Sequence, residues 1–193
     1  MADWQADLVD RMSNIQFTEQ YFPILHNGLL QDQDVMVHSL GCSVWNTLGH
    51  ELELMAVVEC PAPSSHGADI RSDSGWFVMG KSSPSCLVEF ERYDGTEKGQ
   101  LKLEEKLRNL LEAAQRWEHS PKILVLSAWR QGIVRAVDTE RLKSICRCGF
   151  TSNTGARISA SSITKIVYSE FLFEKSASEL CLTLNRLRCE RLL

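Results

Sequence analysis

The spacing of apolar residues predicts an alternation of helices and strands. Trp4, Leu8 and Val9 lie at helical spacing, which predicts a short amphipathic helix over 2–12. Residues 13–45 resist a single assignment. Phe17, Tyr21, Phe22, Ile24 and Leu25 are apolar there, but Pro23 and Asn27-Gly28 interrupt any long element. Trp45 to Glu59 is compatible with a helix, although His50 to Val58 would also tolerate a strand. Pro61 to Gly67 is a loop rich in Pro, Ser and Gly. Ala68 to Met79 and Cys86 to Tyr93 read as two strands joined through Gly80 to Pro84, a hairpin.

The second half is more regular. Leu103, Leu107, Leu110, Leu111, Ala114 and Trp117 repeat on one face of a helix over 97–118. Thr96 is placed to cap its start, Glu97 suits its first turn, and Pro121 stops it. Lys122 to Ala128 follows as a buried strand, and strand, helix, strand at this spacing is a crossover joining parallel strands. Thr139 to Arg147 predicts a second, shorter helix, and Ile163 to Phe173 another strand. Leu180, Leu182, Leu184 and Leu187 predict a closing helix over 176–192. The expected fold class is α/β (α+β): a mixed central sheet with helices on its faces.

Composition narrows the function classes. The chain has 193 residues, 44% hydrophobic and 24% charged, which suits one globular domain rather than a disordered or fibrous chain. The longest apolar runs, such as Ile123 to Ala128, fall far short of the roughly 20 residues needed to span a bilayer. The first residues show neither a basic start nor an apolar signal core. The expectation is a cytoplasmic protein with no membrane partner. Its seven cysteines follow no framework spacing. Cys146 and Cys148 could give a metal two ligands, but a structural zinc site needs a second pair. Reduced, mostly buried thiols are expected instead.

Charge is unevenly spread. Residues 1–60 carry nine acids and one base, whereas residues 119–193 carry six acids and twelve bases. The acidic part suggests an N-terminal extension over 1–46, leaving a domain over 47–193 with a basic C-terminal part. That basic part could follow a phosphate backbone, with Arg186, Arg188 and Arg191 as the candidate nucleic-acid contacts. Two ordinary solvated faces of opposite sign would look the same.

Three acids fall where a divalent cation could use them. Asp73 lies in the first hairpin strand, and Glu89 and Glu91 in the second, on one face because side chains alternate with period two. They interrupt the apolar segment Cys-Leu-Val-Glu-Phe-Glu, and buried carboxylates need compensation. A hard cation such as magnesium or manganese would provide it. In a plain hairpin the two glutamates would instead face solvent. Lys98, Lys102 and Lys106 recur every four residues along the long helix. Lys106 lies closest to its apolar face and could lean toward the acids, although such a stripe can equally be a solvated flank.

In linked order these residues resemble a known family. Arg71-Ser72-Asp73-Ser74-Gly75-Trp76-Phe77, then Leu87-Val88-Glu89-Phe90-Glu91-Arg92, then Gly95-Thr96-Glu97 and Lys106-Leu107 resemble the replication-relaxation family. That family is related to MobC-type relaxases of mobilisable plasmids, with a nuclease domain of the PD-(D/E)xK type. His50-Glu51-Leu52 is similar to the His-x-Leu stretch of its preceding helix. The resemblance spans about residues 47–128. It implies a restriction-endonuclease-like sheet, with Asp73 and Glu89 as magnesium or manganese ligands and Glu51 as an additional acid. Glu91 takes the position of the family's second acid, where the wider superfamily has lysine, and Lys106 matches the helix-borne lysine; with Asp73 and Glu89 they are the implied catalytic residues.

The implied function is a metal-dependent DNA endonuclease or relaxase-like nicking protein of a plasmid or other mobile element. Ser72 replaces a proline of the family pattern, and Tyr93-Asp94 are inserted before Gly95. Residues 1–46 are too short and acidic for the winged-helix DNA reader usual upstream. A protein partner would then supply sequence recognition, and a second reading stays open: a non-catalytic nuclease-fold subunit that binds DNA or assembles a mobile-element or defence complex.

Overall fold

The computed structural model describes residues 4–31, 33–63, 69–175 and 181–193. Helix α1 (Trp4–Arg11), the short helix α2 (Gln16–Tyr21) and a 3-10 turn (Pro23–Leu25) lead to β1 (Leu30–Gln31) and helix α3 (Asp34–Glu51). Next come β2 (Met55–Pro61), β3 (Arg71–Phe77), β4 (Cys86–Arg92), helix α4 (Glu97–Arg116) and β5 (Ile123–Gln131). Helix α5 (Thr139–Cys148), the small hairpin β6 (Phe150–Thr151) and β7 (Arg157–Ile158), then β8 (Lys165–Lys175) and β9 (Cys181–Arg191) complete the chain. The expected positions 2–3, 64–68 and 176–180 of the first helix, the loop and strand after Pro61, and the closing element lie outside the described residues.

The fold is a seven-stranded mixed sheet flanked by helices, in the order β1-β9-β8-β5-β4-β3-β2. β4, β5 and β8 run parallel, while β2, β3 and β9 run antiparallel to their neighbours. Helix α4 is the expected crossover between β4 and β5. It buries Leu103, Leu107, Leu110, Leu111 and Ala114 against Leu87, Leu124 and Leu126 on one face of the sheet. The Thr96 hydroxyl accepts from Gly99 N–H at 3.1 Å, capping the helix. Tyr93-Asp94 shape the turn before it, where Asp94 accepts from the backbone N–H and hydroxyl of Thr96.

Helix α3 covers the opposite face. Val37, Val44, Trp45 and Leu48 pack with Trp76, Val88, Phe90 and Phe171. Leu8, Met12, Phe17, Leu25 and Leu30 belong to the same buried cluster, so the segment 1–46 supplies core side chains to the sheet's second face. The ambiguity at His50 to Val58 resolves as a helix ending at Glu51 and a strand starting at Met55.

The helix expected over 176–192 is corrected: residues 181–191 form a strand paired to β8. A bulge explains the misleading spacing. Phe173 faces Leu184 and Leu172 faces Arg186, leaving Asn185 as an extra residue. Leu182 and Leu184 are buried at period two, and the bulge delays the next buried side chain to Leu187. That offset imitates the three-residue step of a helix.

Gly41 fixes how closely α3 approaches β4. A Cβ there would lie inside the Phe90 ring, and that ring is pinned edge-on by Phe171 with centroids 5.2 Å apart. Gly41→Ala gains about 1 kcal/mol of helix propensity but overpacks a buried aromatic pair, at a cost of about 1–3 kcal/mol or more. A lower melting temperature is expected, by roughly 2–4 °C per kcal/mol lost. Thermal denaturation checks this, and a rise in melting temperature would show that α3 can lift away freely.

Candidate functional site

The site forms where β3 and β4 part. Their ladder pairs Trp76 with Cys86, Gly75 with Leu87 and Ser74 with Val88, and ends there. One residue further, the Asp73 carboxylate replaces backbone pairing: its Oδ2 accepts from Phe90 N–H at 2.7 Å. Asp73 is thereby held in the notch between the strands, satisfying a buried donor that the ladder no longer serves.

Glu89 and Glu91 point to the α4 face, the same side as Leu87. They do not face solvent: Glu89 is 1% exposed and Glu91 8%. Helix α4 presents its lysines to them one turn apart. Lys106 Nζ lies 2.8 Å from Glu89 Oε2, and Lys102 Nζ lies 2.9 Å from Glu91 Oε1. Glu91 Oε1 also accepts from the backbone N–H of Arg92 at 2.8 Å. Lys102 comes from the lysine stripe, but its partnership with Glu91 was not expected from spacing.

Helix α3 closes the other side of the notch. His38 Nε2 stands 3.7 Å from Asp73 Oδ1 and 3.6 Å from Cys42 Sγ. His38, Asp73, Glu91, Lys102, Lys106 and Trp129 are among the residues lining a cleft of about 420 Å³. Glu89 lies beneath Lys106.

The electrostatics reflect too little water and too much negative charge. Burial pushes the Glu89 carboxyl up to about 8, and the neighbouring Asp73 charge adds to the shift against the pull of Lys106. Burial also raises Asp73, opposed by the Phe90 N–H and by Lys106 and His38. For Lys106, burial disfavours the charge, but Glu89, Asp73 and Glu91 together hold it above the ordinary lysine range. The two ends of the Lys106–Glu89 pair differ because one ammonium serves three acids. The lysine gains from all of them, while Glu89 gains from one cation and loses to desolvation and to Asp73.

Other sequence candidates lie elsewhere. Glu51 sits at the far end of α3, accepting from Tyr21 Oη at 2.5 Å. Thirteen residues of helix separate it from His38, roughly 20 Å, so the structure does not bring it to Asp73. Arg186, Arg188 and Arg191 are exposed on β9, three strands from β4. Arg188 pairs with Glu190, and Arg191 Nε donates to Leu193 O. By strand parity Arg186 and Arg188 share a face, and Arg191 lies on the other. Cys146 is buried and Cys148 exposed, and all seven cysteines are free.

His38 and Cys42 escaped the sequence reading because 13–45 carried no clear element. Their four-residue separation was visible, and it gains meaning once 34–51 is a helix. No protein-family model, curated protein or solved structure matches the chain. The likeness to the replication-relaxation family therefore rests on the motif residues alone.

The raised Glu89 pKa has a signed consequence for stability. Between the ordinary carboxyl value of about 4.5 and about 8 the folded chain holds a proton that the unfolded chain has released. Glu89 therefore costs stability progressively as pH rises through that window. Glu89→Gln is expected to raise the melting temperature at pH 8 by several degrees and to change it little at pH 4. Melting curves from pH 4 to 9 check this; equal shifts at both ends would remove Glu89 as the source.

Proposed function

We propose that this cleft is a metal-dependent phosphodiester-cleaving site. On that reading the protein is a DNA endonuclease or relaxase-like nicking protein of the PD-(D/E)xK type, serving a plasmid or other mobile element. One observation carries it: Asp73 and Glu89, from two parting strands, are buried beside a helix-borne lysine at the edge of an open cleft. Their donors are hard carboxylate oxygens, which suit magnesium or manganese. The shifts also fit, because a carboxyl that keeps its proton for want of positive charge is one that a cation would ionise. Asp73 and Glu89 would hold the ion, with Glu91 beside them.

Such an ion supplies a water of lowered pKa and positive charge for the scissile phosphate. The remaining work belongs to the chain. Lys106 and Lys102 place two ammonium groups at the cleft, where charge develops on the phosphate oxygens. The Phe90 N–H orients Asp73 through Oδ2. Arg186 and Arg188, exposed on one face of β9, offer phosphate contacts at a distance from the chemistry.

A second reading has its own support. Glu91 stands where lysine is usual in the superfamily, and both glutamates already contact lysines of this chain. A non-catalytic nuclease-fold subunit, binding DNA or assembling a mobile-element or defence complex with a partner that reads sequence, would look like this.

Cleavage of supercoiled plasmid with magnesium or manganese separates the two. The enzyme reading expects nicking that Glu89→Gln or Asp73→Asn abolishes, and that Lys106→Met slows by roughly 10²–10³. Activity surviving Asp73→Asn and Glu89→Gln together would exclude this site. DNA retention without magnesium binding by calorimetry would instead favour the subunit.

The arginines carry a separate expectation. Arg186→Ala with Arg188→Ala should flatten the salt dependence of DNA binding by about 0.9 in log–log slope for each phosphate no longer neutralised. Arg191→Ala, on the opposite face, should change it less. An unchanged slope in the double variant would place the interface elsewhere.

A further inference from the structure

We propose that His38, Cys42 and Asp73 form a second metal site, a three-ligand set for zinc whose fourth position opens toward the cleft. It does not require the magnesium reading and shares only Asp73 with it.

The geometry comes from two elements. His38 and Cys42 are four residues apart on α3, so their side chains lie one above the other on one face. Gly41, seated against Phe90, brings that face down onto the notch where β3 leaves β4. Asp73 has one oxygen fixed by the Phe90 N–H, which leaves Oδ1 turned toward His38. This is the outer-shell hydrogen bond that commonly orients a ligating group.

Two of the three separations approach those of a coordination polyhedron, and the third is bounded at 4.8 Å. Tetrahedral zinc, with bonds of about 2.0 Å to nitrogen or oxygen and about 2.3 Å to sulfur, puts nitrogen and sulfur about 3.5 Å apart and nitrogen and oxygen about 3.3 Å apart. His38 Nε2 lies 3.6 Å from Cys42 Sγ and 3.7 Å from Asp73 Oδ1. All three ligand atoms fall within 4.8 Å of one another, the one such group of three among the described residues.

Donor chemistry selects the ion. Sulfur and imidazole nitrogen favour zinc and its neighbours over magnesium, which prefers the all-oxygen set of Asp73, Glu89 and Glu91. Burial raises the Cys42 thiol to about 12, with Asp73, Glu59 and Glu89 adding to the shift and Lys106 opposing it, and a bound cation would take it as the thiolate. Three protein ligands leave one tetrahedral position free, and His38 and Asp73 both line the cleft. Because Asp73 serves both sets, zinc at His38 and magnesium at Glu89 would compete for it.

Cobalt(II) titration of the full, reduced, chelator-stripped chain tests the site. The expected result is one equivalent bound, with tetrahedral visible bands and a thiolate-to-cobalt absorption in the near ultraviolet, both displaced by one equivalent of zinc. Cys42→Ser should lose the thiolate absorption, and His38→Gln should lose at least roughly tenfold in affinity. Cys148→Ser, which removes an exposed thiol elsewhere, should leave the spectrum intact. A wild-type spectrum without the sulfur band, or a band that persists in Cys42→Ser, overturns the proposal. The wild-type spectrum and His38→Gln decide the matter even if Cys42→Ser misfolds, as judged by circular dichroism. Magnesium calorimetry on His38→Gln, with Glu89 and Lys106 in place, tells failure of this site from failure of the oxygen site.

Discussion

A single hydrogen bond sets the architecture of the cleft. Where β3 and β4 cease to pair, the amide of Phe90 would be a buried donor without a partner, and Asp73 Oδ2 takes that role at 2.7 Å. A side chain substituted for backbone lets the strands diverge without leaving the amide unsatisfied, a loss that would cost about 1–3 kcal/mol. It also carries a carboxylate into the interior, next to Glu89. The notch, its negative charge and its opening toward α3 all follow from that exchange.

The charge balance is the second constraint. Asp73, Glu89 and Glu91 come close together at low exposure, and Lys102 and Lys106 descend from α4 to meet them. The lysines do not suffice, since Glu89 retains its proton up to about 8. Buried charges are tolerated when paired, and incomplete pairing is destabilising. A fold that keeps this deficit beside an open cleft has given up stability locally, a pattern common where groups are poised for chemistry. The oxygen set and the proposed zinc set are two ways of supplying the missing positive charge, joined at Asp73. No helix among the described residues is long and apolar enough to cross a membrane.

Much of this was legible in the residues. Helix α4, the β3–β4 hairpin and the parallel β5 follow directly from periodicity, because each buries one well-marked face. The acids of the hairpin and Lys106 were visible for the same reason: strand parity and helical spacing leave little freedom. Burial of Glu89 and Glu91 was not, since parity says which face they share but not what covers it. Helix α3 stayed hidden because exposed apolar residues in its first turn, Val35 and Met36, blur its stripe. Its His38 and Cys42 went with it. β9 was misread because the bulge at Asn185 shifts a period-two pattern into a helical one, and only the partner strand reveals that shift.

The proposed chemistry turns on whether Asp73 and Glu89 are ligands to one cation. A crystal soaked in manganese and measured for anomalous scattering asks this directly. A peak bound by both carboxylates, with Lys106 displaced from Glu89, is the predicted result. A fully occupied Lys106–Glu89 contact and no peak at either acid would contradict it.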